Sequence, residues 1–224
     1  RDVERSRGLG DVYKRQAVYR YDPSLAAQVR AEFGVTDPDT FVLGHVGRFF
    51  PQKNHTFLID IFAEVHKQCP NSVLWLVGGG ELNDELKNQI KAKVEGLGLS
   101  DAVRFFGVRD DVNRLLQGMD SFILPSLYEG LPVTMIEAQA SGLPCTISDR
   151  VPRQCDVTGN VQIIGLDEPP AAWAKRILDQ HATYAGTDRA SGADAVAHAG
   201  FDITSNAEWL QKFYLDALAK PARV

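Results

Sequence analysis

Two stretches of this chain combine residue types and spacings that could do chemistry. The first is GRFFPQKN, Gly47 to Asn54, in which Arg48 and Lys53 stand five apart across a turn carrying Pro51. The loop opens a helix. Cations placed there, with the amide end of a helix behind them, make an anion site. A diphosphate needs such compensation because its charge grows as the bond to its sugar breaks. Two solvated surface cations would read the same way, and the spacing alone does not separate them. The second stretch is YEGLPVTMIE, Tyr128 to Glu137, with carboxylates at Glu129 and Glu137 flanking a helix start that Pro132 suits as a first helical residue. Carboxylates accept paired hydrogen bonds from vicinal hydroxyls, which hexoses and ribose both offer. Taken singly, Glu129 reads as a loop acid and Glu137 as a solvated helix position, although Met135, Ile136 and Ala138 beside it argue for burial. Their joint placement around a phosphate-binding helix start suits one ligand made of a sugar, a diphosphate and a ribose.

Two further loops are weaker. LVGGGE, Leu76 to Glu81, puts glycines between a strand and a helix, where backbone can approach a ligand closely. A dinucleotide fingerprint would need a third glycine where Asn83 stands, so nicotinamide chemistry is disfavoured. Glu81 reads as a helix-dipole partner. GVRDDV, Gly107 to Val112, could offer backbone groups to the edge of a base, or could be a plain turn with Asp110 or Asp111 as a cap. Asp37 to Asp39 reads as a turn rather than a metal pair. No pair among His45, His55 and His66 has zinc-ligand spacing. Cys145 in an apolar strand reads as inert. No GxSxG, P-loop or HExxH string occurs.

The elements that must position these residues are legible as an alternation. Strands are predicted at 40–47, 72–78, 102–107, 119–126, 144–148 and 160–165. Helices are predicted at 24–34 with Ser24 as N-cap, 54–70 with Asn54 as cap, 81–98, 111–118, 132–142 and 169–181. The strands are short and nearly all apolar, the helices amphipathic, which implies a parallel sheet covered on both faces, a Rossmann-like α/β domain. Ligands bind such sheets beyond the carboxyl ends of the strands, so 47–53, 78–81, 107–111 and 125–132 are the expected functional loops. Residues 182–200 read as a loose helix or loop, and 207–218 as a closing helix.

Composition narrows the classes. The chain has 224 residues, 44% hydrophobic and 24% charged, as soluble globular proteins do. A net charge of −5 offers no general field for nucleic acid or an anionic membrane. Three cysteines without CxxC spacing argue against a disulfide framework and for a reduced compartment. No apolar run reaches the roughly 20 residues a membrane span needs. Residues 1–16 show almost no apolar periodicity, and DVYKRQ, Asp11 to Gln16, looks like a translated sequencing-library adapter. The segment is expected to be unstructured and foreign, leaving 17–224 as the domain.

GRFFPQKNH, VGGGEL, FFGVRDDV and LPSLYEGLPVTMIEAQASGLP, in this order, resemble the C-terminal domain of family-four glycosyltransferases, retaining enzymes of the two-domain GT-B fold. The resemblance covers about residues 17–181 and the last helix. It implies that Arg48 and Lys53 neutralise the diphosphate of the donor and that Glu129 binds hydroxyls of the transferred sugar. Gly130 and Leu131 would offer amides near sugar and phosphates, Gly47 and Gly79 would allow close approach, Val108 and Arg109 would border the base, and Glu137 would bind the ribose. It implies a nucleotide sugar, a UDP-sugar first among them, as substrate, with no cofactor and no obligatory metal. The acceptor, a glycan or lipid-linked glycan of bacterial polysaccharide synthesis, would be held by an N-terminal domain missing from this chain. Membrane association would be peripheral and through that half only, at the inner face of the membrane in the cytoplasm. Rival readings are a sugar-nucleotide epimerase or phosphorylase of the same architecture, and a non-catalytic nucleotide-binding module.

Overall fold

The computed structural model describes residues 16–79 and 84–219. The strands are β1 (Phe41–Val46), β2 (Ser72–Val77), β3 (Val103–Gly107), β4 (Ser121–Leu124), β5 (Cys145–Ser148) and β6 (Val161–Ile164). The helices are α1 (Gln16–Tyr19), α2 (Pro23–Glu32), α3 (His55–Gln68), α4 (Asp84–Gly96), α5 (Val112–Gly118), α6 (Val133–Ala140), α7 (Pro170–Tyr184), α8 (Ser191–Val196) and α9 (Ile203–Ala219). All six strands are parallel in the order β3-β2-β1-β4-β5-β6. This is the doubly wound sheet that the alternation predicts. The order reverses between β1 and β4, the point at which doubly wound sheets bind ligands beyond their strand ends.

The period of two in each strand feeds two cores. Val42, Val46, Trp75, Phe122 and Ile147 pack with α2, α5 and α6 on one face. Phe41, Leu43, Leu74, Leu76 and Ile123 pack with α3, α4 and α7 on the other. All six residues of β1 are buried, which explains why FVLGHV reads as an unbroken apolar run.

Several boundary expectations change. Asp22, not Ser24, caps α2, its carboxylate accepting from the amides of Ser24 and Leu25. Asn54 stands at the N-cap of α3 but makes no capping bond; its amide instead reaches Pro125 O at 3.2 Å. Asp111 likewise precedes α5 without capping it, because Arg109 holds its carboxylate. Pro132 is one position before the helix rather than in it. The 182–200 region, read as a loose helix or loop, holds both: α7 runs on to Tyr184, residues 185–190 are a non-helical link, and α8 follows. The 37–39 turn is as expected, with Asp37 Oδ1 accepting from Asp39 N at 2.9 Å. Of the segment 1–16 expected to be unstructured, residues 1–15 fall outside the described residues, as do Glu81 and Asn83, while Gln16 already belongs to α1.

Candidate functional site

The loop after β1 is fixed from below. Phe49 is buried and stacks on His55 with ring centroids 4.4 Å apart. His55 meets His45 edge-on at 4.9 Å. His45 Nδ1 lies 2.9 Å from Ile123 O. A carbonyl only accepts, so the proton sits on Nδ1 and Nε2 is left as an acceptor. Burial pushes the His45 pKa down to about 4, against the raising effect of the Ile123 bond, and Lys53 lowers it further. Burial first, then His45 and Lys53, takes His55 down to about 2. Both rings are therefore neutral supports. Zinc spacing could not have found this pair, because the rings meet across a strand and the helix that follows it.

On that base, the 3₁₀ turn Pro51–Lys53 aims its side chains toward the loop after β4. Leu127 N donates to Gln52 O at 2.8 Å. Gln52 Nε2 donates to Tyr128 O at 2.8 Å and to Glu129 Oε2 at 3.1 Å. Lys53 Nζ donates to Glu129 Oε1 at 2.7 Å. With Asn54 bonded to Pro125 O, the β1 and β4 loops are laced together at the point where the strand order reverses. Gln52 carried no signal in the sequence.

Beside this lacing lies a cleft of about 690 Å³, within the range of small-ligand sites. Its walls include Gly47, Arg48, Lys53, Gly79, Val108 and Arg109, six of the predicted site residues. Arg48 is exposed. Arg109 is held bidentate by Asp111 at 2.7 Å through both nitrogens and lies 5.5 Å over the Phe33 ring. These hydrogen bonds, set against some desolvation, hold the Asp111 carboxyl below its usual range. Two glycines make the rear wall thin. A Cβ on Gly78, at φ 137°, would sit 2.1 Å from Gly47 O, and one on Gly79 would sit 2.5 Å from Val108 Cγ2.

The α6 start adds unclaimed donors. Pro132 gives no side-chain cap, and Thr134, which also lines the cleft, has a buried hydroxyl with no partner among the described residues. Gly130 and Leu131 stand exposed on the approach to this turn. Glu137 is not in the cleft wall: it is half-buried farther along α6, where Tyr19 donates to its Oε1 at 2.6 Å. So the structure joins Glu129 to the cationic loop directly and sets Glu137 apart, with a partner that sequence reading missed. A second cavity, about 400 Å³, opens at the amino ends of β1, β2 and β3 near Thr40, Ser72 and Ala102 and gathers none of the candidates. Among the described residues no helix is long and apolar enough to cross a membrane.

Comparison with known proteins accords with this fold. Residues 40–182 match the family model "Glycosyl transferases group 1". The chain is 38% identical over 178 residues to the putative glycosyltransferase EpsF of Bacillus subtilis (strain 168), covering 79% of this chain and 45% of that protein. It is 38% identical over 117 residues to the UDP-Gal:alpha-D-GlcNAc-diphosphoundecaprenol alpha-1,3-galactosyltransferase of Escherichia coli, covering 50% of this chain and 28% of that one. The chain thus spans less than half the length of these relatives. Among solved structures, Anabaena HepE in complex with UDP and glucose has the same fold, with a TM-score of 0.71 at 23% identity over 89% of this chain and 54% of that one.

Proposed function

This chain belongs to the group 1 glycosyl transferases, and from that premise we propose that it is the donor-binding domain of a retaining glycosyltransferase that moves a sugar from a UDP-sugar to a glycan or lipid-linked glycan in bacterial polysaccharide synthesis. The observation that carries the reading is the convergence of Arg48, Lys53 and Glu129 where the strand order reverses, beside an uncapped helix start. Cations and helix amides favour a diphosphate. Glu129, 2.7 Å from Lys53, stands where a hexose attached to that diphosphate would present hydroxyls.

In this reading Arg48 and Lys53 take up the charge that grows on the leaving diphosphate, with the first amides of α6 and the Thr134 hydroxyl as further donors. Glu129 orients the sugar, and Gly130 and Leu131 supply backbone contacts. Gly47 and Gly79 admit the phosphates, Val108 and Arg109 border the base, and Glu137 accepts from the ribose. No cofactor takes part. The acceptor is bound by a separate domain, and any membrane association, on the cytoplasmic side, belongs there. Support for the donor comes from the relatives: the Escherichia coli enzyme is named for UDP-Gal and for a diphosphoundecaprenol acceptor, and HepE was solved with UDP and glucose.

Calorimetric titration of the chain with UDP, ADP, GDP and a panel of UDP-sugars tests this. We expect one diphosphate to bind, the preferred UDP-sugar to bind more tightly than UDP, and Glu129→Ala to erase that difference. A chain that binds no nucleoside diphosphate at millimolar concentration overturns the reading.

A further inference from the structure

The loops after β1 and β4 carry four large apolar side chains that stand in solvent: Phe50 is 47% exposed, Leu127 45%, Tyr128 59% and Leu131 50%. Each lies in, or within two positions of, the lacing of Gln52, Lys53 and Glu129. The bonds of Gln52 to Leu127 N and Tyr128 O fix the backbone from which they project. Phe50 also belongs to the cleft wall and the other three do not, so the group stands at the lip of the cleft. Glu129, next to Tyr128 in the chain, has a side chain only 7% exposed. The acid is drawn into the lacing and the apolar groups are left outside it. Scattered apolar side chains need no explanation, but a set gathered on two laced loops marks a contact. Size and charge choose the partner. A stable protein interface takes about 20–30 residues a side, and four side chains fall far short. An anionic lipid surface calls for clustered Lys and Arg. Here Lys53 is paired with Glu129, and Arg48 lies in the cleft wall. A pyranose ring meets both measures. It is uncharged, it covers only a few side chains, and it sets a face of C–H bonds inside a rim of hydroxyls. An aromatic side chain gives such a face broad contact at small entropy cost.

We propose that Phe50, Leu127, Tyr128 and Leu131 form a platform on which the C–H face of an acceptor pyranose lies, with Tyr128 as its principal contact. The inference rests on the reading of Glu129 as the residue that meets the transferred sugar. A ring on this platform lies outward of the sugar that Glu129 holds, on the side from which a receiving glycan must come. The platform supplies apolar contact and leaves the ring hydroxyls free for other groups, as small-ligand sites do when apolar walls give affinity and a few polar groups give orientation. This domain thereby takes part in choosing the acceptor and does not only hold the donor.

The experiment is saturation-transfer NMR on the chain with methyl β-D-glucopyranoside, recorded without nucleotide and with the tightest-binding UDP-sugar of the calorimetric panel. Sorbitol, a polyol without a ring face, is the control. Tyr128→Ala and Tyr128→Phe are measured alongside, with urea midpoints for each protein. We expect transfer to the glycoside in both conditions, stronger to the axial protons of one ring face than to those of the other, and none to sorbitol. Tyr128→Phe should keep the signal. Tyr128→Ala should weaken glycoside binding on the order of fivefold or more, as for loss of an aromatic contact. Should Tyr128→Ala lower the urea midpoint, Phe50→Ala, on the other loop, reads the same loss. A chain that binds UDP but takes no glycoside overturns the platform and leaves the donor reading standing. A chain that takes the glycoside through Tyr128 but binds no nucleotide keeps the platform and loses the donor reading. A glycoside signal equal in the wild type and Tyr128→Ala overturns the proposal, as does a Tyr128→Ala variant that loses nucleotide and glycoside together, which marks a role in holding the loop. The other partners are read on the same proteins. A dimer in sedimentation that Tyr128→Ala dissolves would make the patch a protein interface, and binding to phosphatidylcholine vesicles that Tyr128→Ala abolishes would make it a lipid contact. Either result overturns the sugar platform.

Discussion

Lys53 and Glu129 form an ion pair of 2.7 Å across the point where the strand order reverses, with side chains only 17% and 7% exposed. Two residues with opposite proposed partners, a diphosphate and a sugar, thus neutralise each other when no ligand is present. Such a pair pre-sets both loops, and a donor entering the cleft competes with Glu129 for the Lys53 ammonium. Substituting Glu129→Gln removes that competitor while keeping Gln52 within reach of an amide. We expect the variant to bind UDP severalfold more tightly than the wild-type chain while losing its preference for the UDP-sugar. Lys53→Met should do the reverse, weakening UDP and destabilising the fold by about 1–3 kcal/mol, because it leaves a sheltered carboxylate without its cation. Urea unfolding and calorimetry read both quantities, and equal or weaker UDP binding by Glu129→Gln would contradict the competition.

Arg48 separates binding from folding more cleanly. It is exposed in the cleft wall and makes no hydrogen bond or ion pair with a described residue. Arg48→Ala should therefore leave stability within about 0.5 kcal/mol, and lower UDP affinity on the order of tenfold, as for loss of one charge-assisted contact. Uridine itself, lacking phosphates, should bind the variant and the wild type alike. A parallel loss for uridine would move Arg48 away from the diphosphate.

Gly78→Ala is expected to damage the site through the backbone. Its φ of 137° and a Cβ position 2.1 Å from Gly47 O leave the substituent nowhere to go. The β1 and β2 loop starts would have to part, at a cost of about 2–4 kcal/mol. The urea midpoint should fall accordingly. An alanine variant of wild-type stability would show that the two loop starts can yield.

The sheet was legible in the sequence because a parallel strand buried on both faces writes itself as an apolar run, and FVLGHV and SVLWLV do so. The two loops of the candidate site were legible for a related reason: doubly wound sheets place function after strands, and GRFFPQKN and YEGLP lie there. What stayed hidden is side-chain partnership. Asp22, Asn54 and Asp111 all stand beside helix starts and have capping chemistry, yet only Asp22 caps. The other two are drawn off by Pro125 O and Arg109, which are near only once the chain has folded. Gln52 and Tyr19 were invisible for the same reason: neither residue type announces the carboxylate it will hold. His45 and His55, ten apart, meet because a strand and the next helix bring their rings together beneath the loop.

That histidine pair gives the chain a definite pH dependence. Burial lowers His45 to about 4 and His55 to about 2, against an unfolded value near 6.5. Each ring is neutral in the folded protein and protonates more readily once unfolded. The unfolded state therefore takes up more protons as pH falls, and the stability that the pair confers is complete above about pH 6.5 and declines below it. The slope approaches about 1.4 kcal/mol per pH unit for each ring. Carboxylates held below their usual range, Asp111 among them, add their own loss only nearer pH 4, so the window from about 6.5 to 5 isolates the histidines. Urea midpoints across that window should fall steadily in the wild-type chain. In His55→Phe, which keeps the stack on Phe49 and removes one titrating ring, the fall should be about half as steep. A midpoint that stays level from pH 6.5 to 5 would mean that the rings titrate alike folded and unfolded, and that the support beneath Arg48 and Lys53 is wetter than its burial implies.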